Sequence, residues 1–395
     1  MNILFAPADY TFSNRAGSKP SWCYYYIKTL LSKGHKITII CDNEDKTSAI
    51  KHKSLKVIAR SKDYNPKPNI LQAGTFQLWM AIKIPSILKK EPTFDIVHHF
   101  GNFGNRTSFN LTLILGIFKN LPFVFGPLEE EVKTSDNNWG WISSGEKQIL
   151  KFADKFIFKK IVKKTLQKSS VVVCQGQAAL EYYEKIYPKE YLAIPPGIEN
   201  IENIKINPKD KNINLITIGA LNKLKRMDLI IKVFKNLSKS NPNLTLKIIG
   251  AGPEKKNLEK LILNNQLDKS VTLTGHISPN AVKAELANGD IYINAALYES
   301  FGQAMLETMS FGIPIVASNT PGAKILIEDN KSGFLIEQNE HEKKEFEKRL
   351  QLLIEDTEVR NSFSKNSKER VEKLFLWDKI TNKYIDIYEK LLDAG

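Results

Sequence analysis

Cysteine is scarce in this chain: three residues in 395, Cys23, Cys41 and Cys174, too far apart for a zinc motif. An odd number leaves no complete disulfide frame, so they read as buried thiols in a reducing compartment. Long apolar runs are missing as well. The longest, Leu111 to Phe118, falls far short of the roughly 20 residues that cross a bilayer. The first residues, MNILFAPADY, carry no basic stretch ahead of an apolar one; they read as a first strand and not as a signal peptide. The expectation is a cytoplasmic protein. There is no Asp-x-Asp pair to hold a divalent metal, so none is expected. FAPADYTFSN also lacks the Gly-x-Gly-x-x-Gly that would follow the first strand of a nicotinamide oxidoreductase.

What is present is basic charge, unevenly spread. Up to Pro195 there are 28 Lys and Arg against 16 Asp and Glu, while the remainder holds 29 against 27. The two halves therefore face different electrostatic partners. Much of the excess lies between Lys147 and Lys168, where eight lysines accompany one acid, Asp154. Lys147, Lys151, Lys155, Lys159 and Lys163 recur every four residues, along one helical face. Leu150, Phe152, Phe156, Ile157 and Ile161 supply apolar surface beside them. Such a helix suits peripheral contact with an anionic membrane surface; a core-packed helix with a solvated lysine face is the plainer alternative. No aromatic interleaving points to nucleic acid, which is not expected as a partner.

Strand-like apolar runs alternate with helix-length segments, the pattern of doubly wound α/β domains. The first half offers Asn2–Ala6, Lys36–Cys41, Leu55–Ala59, Ile96–His99, Phe123–Phe125 and Val171–Cys174. The second offers Asn214–Ile218, Thr245–Ile249, Val271–Leu273, Ile291–Asn294, Ile315–Ala317 and Gly333–Ile336. A Pro-, Asn- and charge-rich stretch near 194–212 reads as a linker. Two parallel sheets facing a central cleft are expected, with ligands beyond the carboxyl ends of the strands. The expected domains are 1–194, 195–373 and a closing helix, 374–395, packing back toward the first.

The segment IYINAALYESFGQAMLET carries Glu299 and Glu307 around a Phe-Gly, between a strand end and a helix start. Gly302 lets a ligand approach the backbone, and the helix start directs N–H groups and a positive dipole end at the turn. Acids flanking an anion site suit a ligand with hydroxyls at both ends, such as a nucleotide-sugar. Taken alone, the spacing equally fits a solvated helix start capped by glutamate.

The wider context resembles glycosyltransferase family 4, retaining enzymes of the GT-B fold. TIGALNKLKRMDLIIKVF, LKIIGAGPEKKNLEKLI and the run from VTLTGHISPN through KSGFLI are similar to its second domain in order, including the Glu-x7-Glu element. Pro195, Pro196 and Gly197 resemble its interdomain hinge, and KLFLWDKITNKYIDIYEKLL its closing helix. In the first half, DIVHHFGNFGNRTSFN and LPFVFGPLEEE resemble a subgroup with paired histidines and a Gly-Pro-x-Gly-Gly loop, in which Glu129 and Glu130 stand here for the glycines.

The resemblance implies a retaining transferase acting from a UDP- or GDP-sugar, which is a substrate and not a cofactor. The acceptor would be a hydroxyl of a cell-envelope glycan or lipid-linked molecule. It assigns Glu299 to the transferred sugar and Glu307 to the ribose. Ser300, Phe301, Gly302 and Gln303 would offer backbone N–H groups, with Phe301's ring packing. Gly219 and Gly250 fall at strand ends of the donor side. Lys225 corresponds to the family's phosphate-clamping Lys, while its Arg is replaced by Ala220, with Arg226 as a candidate substitute. His98 or His99 would be a catalytic residue in contact with sugar or acceptor, alternation turning only one toward the cleft; a satisfied core histidine is the alternative. Arg106 is a candidate for the acceptor and Gly17 for the diphosphate. A GT-B-fold nucleotide-sugar epimerase and a non-catalytic sugar-nucleotide binder remain open.

Overall fold

The computed structural model describes residues 1–8, 10–14, 18–61, 63, 70–91, 93–100, 109–130, 159–200 and 212–394. Two compact units divide the chain. One comprises Met1–Glu199 with Trp377–Gly395, the other Asn200–Leu376.

The first unit is built on a seven-stranded sheet. Its strands are β1 (Asn2–Phe5), β3 (Lys36–Cys41), β5 (Leu55–Ala59), β6 (Ile96–His99), β7 (Phe123–Leu128), β8 (Val171–Cys174) and β9 (Leu192–Ala193), in the order β5-β3-β1-β6-β7-β8-β9. All pairings are parallel. Near-continuous Val, Ile and Phe runs form these strands because helices cover both faces of a parallel sheet. A two-stranded ribbon, β2 (Thr11–Phe12) with β4 (Asn43–Glu44), is extra. It and β9 are two-residue pairings, too short to leave a periodic signal.

The helix Trp377–Asp393 belongs to this unit. Its entry depends on Gly197: a Cβ there would stand 2.7 Å from the Trp377 ring. The Trp377 N–H donates to the Ile198 carbonyl at 3.0 Å. Ile380, Tyr384, Ile387 and Tyr388 then present one buried face, the stripe expected of an amphipathic helix.

The second unit has a six-stranded parallel sheet in the order β12-β11-β10-β13-β14-β15. These are β10 (Ile213–Ile218), β11 (Leu244–Ile249), β12 (Val271–Gly275), β13 (Ile291–Asn294), β14 (Ile315–Ser318) and β15 (Gly333–Ile336). The order runs outward from β10 in one direction and from β13 in the other. A crevice therefore opens between the loops that leave these two strands, where doubly wound sheets take their ligands. Leu215, Leu246, Ile291, Ile293 and Val316 from the sheet pack with Ile230, Phe234, Phe346 and Leu350 from the helices as the core beneath it.

Candidate functional site

The loop after β10 turns through a 3-10 helix, Lys223–Lys225. The Asn222 side chain caps it by accepting the Lys225 N–H at 3.1 Å. The loop after β13 is tied alongside, the Leu297 N–H donating to the Leu224 carbonyl at 2.8 Å. This backbone bond brings Lys225 and Glu299 together, and their side chains form a partly buried ion pair. The Lys225 stem lies over Gly219, where an added Cβ would meet Cγ and Cδ at 3.7 Å.

The chain then enters the helix Gln303–Ser310 through Gly302, whose φ of +91° lies in the left-handed region. Any larger residue is strained there, and a Cβ would come within 2.3 Å of Met305 Cε. Its N-cap, Gly302, has no side chain with which to cap the first turn, so the N-cap residue itself does not answer the helix dipole. Glu299 and Phe301 are pinned from below by the helix Pro321–Leu326. The Gly322 N–H donates to the Glu299 carbonyl at 2.8 Å, and a Gly322 Cβ would stand 2.5 Å from the Phe301 carbonyl oxygen. The Phe301 ring is buried.

Glu307 sits one turn further on, partly buried. The Gln303 amide reaches it at 3.5 Å. Burial raises its pKa, with Gln303 and the charge of Lys283 acting against that rise. Tyr292 of β13 is fully buried beneath the pair. Its hydroxyl donates to the Ile218 carbonyl at 3.1 Å and accepts the Ile218 N–H at 3.3 Å, joining β10 to β13 at the crevice. Burial, and then the charges of Glu299 and Glu307, push its phenol pKa upward. This tyrosine was not among the expected residues; its signal is a phenol hydroxyl inside a strand buried at every position.

Arg226 is not available to a phosphate. It adopts φ +45° and directs its guanidinium into the protein. Nε donates to the Ala295 carbonyl at 2.6 Å, Nη1 to Glu342 at 2.8 Å and Nη2 to Ser318 Oγ at 3.1 Å, with a second ion-pair contact to Glu342. Arg226 is a strut joining the loops after β10 and β13 and the last residue of β14 to the helix Glu342–Glu355. Gly250 likewise has a packing reason: a Cβ there would lie 1.9 Å from the Gly219 carbonyl oxygen.

His98 and His99 of the first unit are both fully buried, at the centre of protein contacts. His98 Nε2 donates to the Gly126 carbonyl at 2.9 Å, which leaves Nδ1 to accept from the Tyr388 hydroxyl at 2.5 Å. Tyr388 in turn meets the Tyr26 hydroxyl at 2.7 Å. Phe5, Tyr384 and Phe100 surround the ring. His99, on the opposite face, packs on Phe125 and meets Asn110 at 3.3 Å through Nδ1. Desolvation holds both near a pKa of about 3, so both are neutral. His98 is thus the anchor of the C-terminal helix, and the expectation of a cleft-facing catalyst fails for it because Tyr388 and Gly126 occupy both ring nitrogens. Gly17, Arg106 and Lys147 to Phe158 lie outside the described residues.

Among the described residues no group of three His, Cys, Asp or Glu side chains is placed to hold a metal ion. No helix among them is long and apolar enough to cross a membrane. All three thiols are buried.

Residues 199–370 match the family model of the glycosyl transferases group 1. An uncharacterized glycosyltransferase of Haemophilus influenzae is 32% identical over 205 residues, covering 50% of this chain and 57% of its own length. The chain thus spans little more than half of that relative. An Arabidopsis thaliana phosphatidylinositol N-acetylglucosaminyltransferase component is 22% identical over 398 residues, covering 98% of this chain and 82% of its own. Among solved structures, Anabaena HepE in complex with UDP and glucose superposes with a TM-score of 0.67 at 15% identity, over 98% of this chain and 99% of that one. The fold is GT-B, with two Rossmann-like domains.

Proposed function

We propose that the protein is a retaining glycosyltransferase that moves a sugar from a UDP- or GDP-sugar to a hydroxyl of a cell-envelope glycan or lipid-linked acceptor. The observation that carries this reading is the pairing of Lys225 with Glu299 beside the glycine-capped helix start at Gly302, at the crevice between β10 and β13. A cation, a carboxylate and a positive dipole end, all partly open, form a site for an anion that also bears hydroxyls. The match of 199–370 to a glycosyltransferase family supports it. So does the UDP and glucose bound by a neighbour of the same fold.

In this reading the diphosphate takes Lys225 from Glu299, and Glu299 turns to the sugar hydroxyls. Glu307 accepts from the ribose hydroxyls. Backbone N–H groups at 300–303 face the diphosphate as charge builds on the leaving group, where such a donor is worth about 3–4 kcal/mol. The bond between the anomeric carbon and the diphosphate oxygen breaks. A bond to the acceptor oxygen forms on the same face, and the acceptor proton passes to the departing phosphate. Neutralisation of that phosphate falls to Lys225 and the helix start, without a metal. Tyr292 and Arg226 do not touch the donor; they hold the two loops in register.

Incubation with labelled UDP- and GDP-sugars and a panel of lipid-linked and glycan acceptors tests the reading. Lys225→Ala should lower turnover about a hundredfold or more, and Glu307→Ala should weaken nucleotide binding. Rapid epimerisation of the donor without acceptor, or undiminished nucleotide affinity in Glu307→Ala, would contradict it.

A further inference from the structure

The first unit carries a surface that the donor chemistry does not use. Three helices lie side by side over one face of its sheet: Ile70–Lys90, Leu111–Ile114 and Lys159–Lys168. The first two are stitched by Gln77, whose amide donates to the Phe109 carbonyl at 3.1 Å and accepts the Leu111 N–H at 3.1 Å. Lys168 joins the third to the second, donating to the Ile114 carbonyl at 3.1 Å. Segments 70–90, 109–122 and 159–168 together hold nine lysines and no acidic residue.

Within this basic layer stand three bare aliphatic side chains. Leu78 and Ile82, one helical turn apart, are 57% and 80% exposed, and Leu115 beside the Lys168 contact is 60% exposed. Lys83, Lys89, Lys119, Lys160 and Lys164 around them are also exposed. Elsewhere the large exposed aliphatics Leu263, Leu297, Leu352 and Leu392 stand singly, the ordinary condition of a folded surface.

We infer that this three-helix face docks on an anionic lipid bilayer, with Leu78, Ile82 and Leu115 entering the acyl boundary and the lysines meeting the headgroups. Aliphatic side chains ringed by lysines are what an interfacial helix presents to such a surface. A second copy of the chain is a poor occupant, because its own face would set lysines against lysines. Nucleic acid would call for stacking aromatics, and the exposed side chains are aliphatic. The inference does not depend on the transferase reading. It places the lipid contact on three helices, beyond the basic stretch that ends at Lys168.

The test is co-sedimentation of the intact protein, without donor or acceptor, with vesicles of phosphatidylcholine mixed with phosphatidylglycerol, and with phosphatidylcholine alone. The wild type should bind the mixed vesicles, and binding should weaken as salt is raised. Replacing Leu78, Ile82 and Leu115 together by Ser should weaken binding about tenfold or more and leave the unfolding midpoint unchanged, since these side chains are exposed. Replacing Lys83, Lys89, Lys160 and Lys164 by Gln should weaken it at least about twentyfold at low salt. Equal binding of the wild type to both vesicle types, or undiminished binding by the triple Ser variant, overturns the proposal. A wild-type dimer that the triple variant abolishes overturns it too, assigning the face to a second copy.

Discussion

The carboxyl ends of the two sheets receive similar polar residues and use them in opposite ways. At the end of β6, His98 and His99 are fully buried and neutral, and His98 has both ring nitrogens bonded to protein. At the crevice between β10 and β13, Lys225, Glu299 and Glu307 stay partly open, and Lys225 and Glu299 hold each other. The difference lies in what covers each end. The helix Trp377–Asp393 brings Tyr384 and Tyr388 onto His98. In the second unit a short helix begins beyond the loop, and Gln303, Ala304 and Glu307 on it stay partly exposed. A polar side chain under a helix becomes a structural contact; the same chemistry beside a glycine-capped helix start stays partly open.

Arg226 puts this contrast to its hardest trial, because it is a strut bonded to protein within the partly open site. Arg226→Ala would leave Glu342 buried and unpaired, which costs about 3–5 kcal/mol when an ion pair is broken from one side. Hydrogen exchange at the ends of β10, β13 and β14 should speed accordingly. Unchanged exchange together with lost donor affinity would make Arg226 a phosphate ligand after all.

Acidification should separate the units. Both histidines titrate near 3 in the folded chain against 6.5 unfolded, so the unfolded state binds more protons between those values. Their contribution is complete above about pH 6.5 and falls as pH drops toward 3, by about 1.4 kcal/mol per pH unit for each histidine. Glu307 acts with the opposite sign, since its raised pKa favours the folded state as pH falls through it. Urea unfolding monitored by exchange in β6 and in β13, from pH 7 to pH 5, should show the first unit weakening before the second. Equal slopes would dissolve the contrast.

A smaller effect is expected from Tyr388→Phe, which strips the hydroxyl between His98 and Tyr26. Leaving two buried polar groups without that partner costs about 1–3 kcal/mol. The unfolding midpoint should drop while nucleotide affinity holds. A loss of affinity at constant midpoint would return His98 to the chemistry.

Much of the scaffold was legible from local pattern. The runs Lys36–Cys41, Ile96–His99 and Ile291–Asn294 are strands at the bounds their composition predicts, because a strand buried on both faces must be apolar throughout. The helix Gln303–Ser310 likewise begins where Gly302 ends the loop. Spacing and resemblance also singled out Lys225, Glu299 and Glu307, and the structure places Lys225 against Glu299. Arg226 was misread because its partner Glu342 is 116 residues away, and no local pattern reports so distant a neighbour.

Sequence alone thus determined which segments are strands and helices, and that Gly302 lies between two acids, Glu299 and Glu307, at one strand-to-helix turn. Those properties follow from periodicity and backbone conformation, which act over a few residues. Only the tertiary structure decided which charges are struts and which stay partly open, and that His98 is buried, hence neutral, against a tyrosine 290 positions later. Burial and hydrogen-bond partnership belong to the packed chain, and they set the charge state and availability of each polar group.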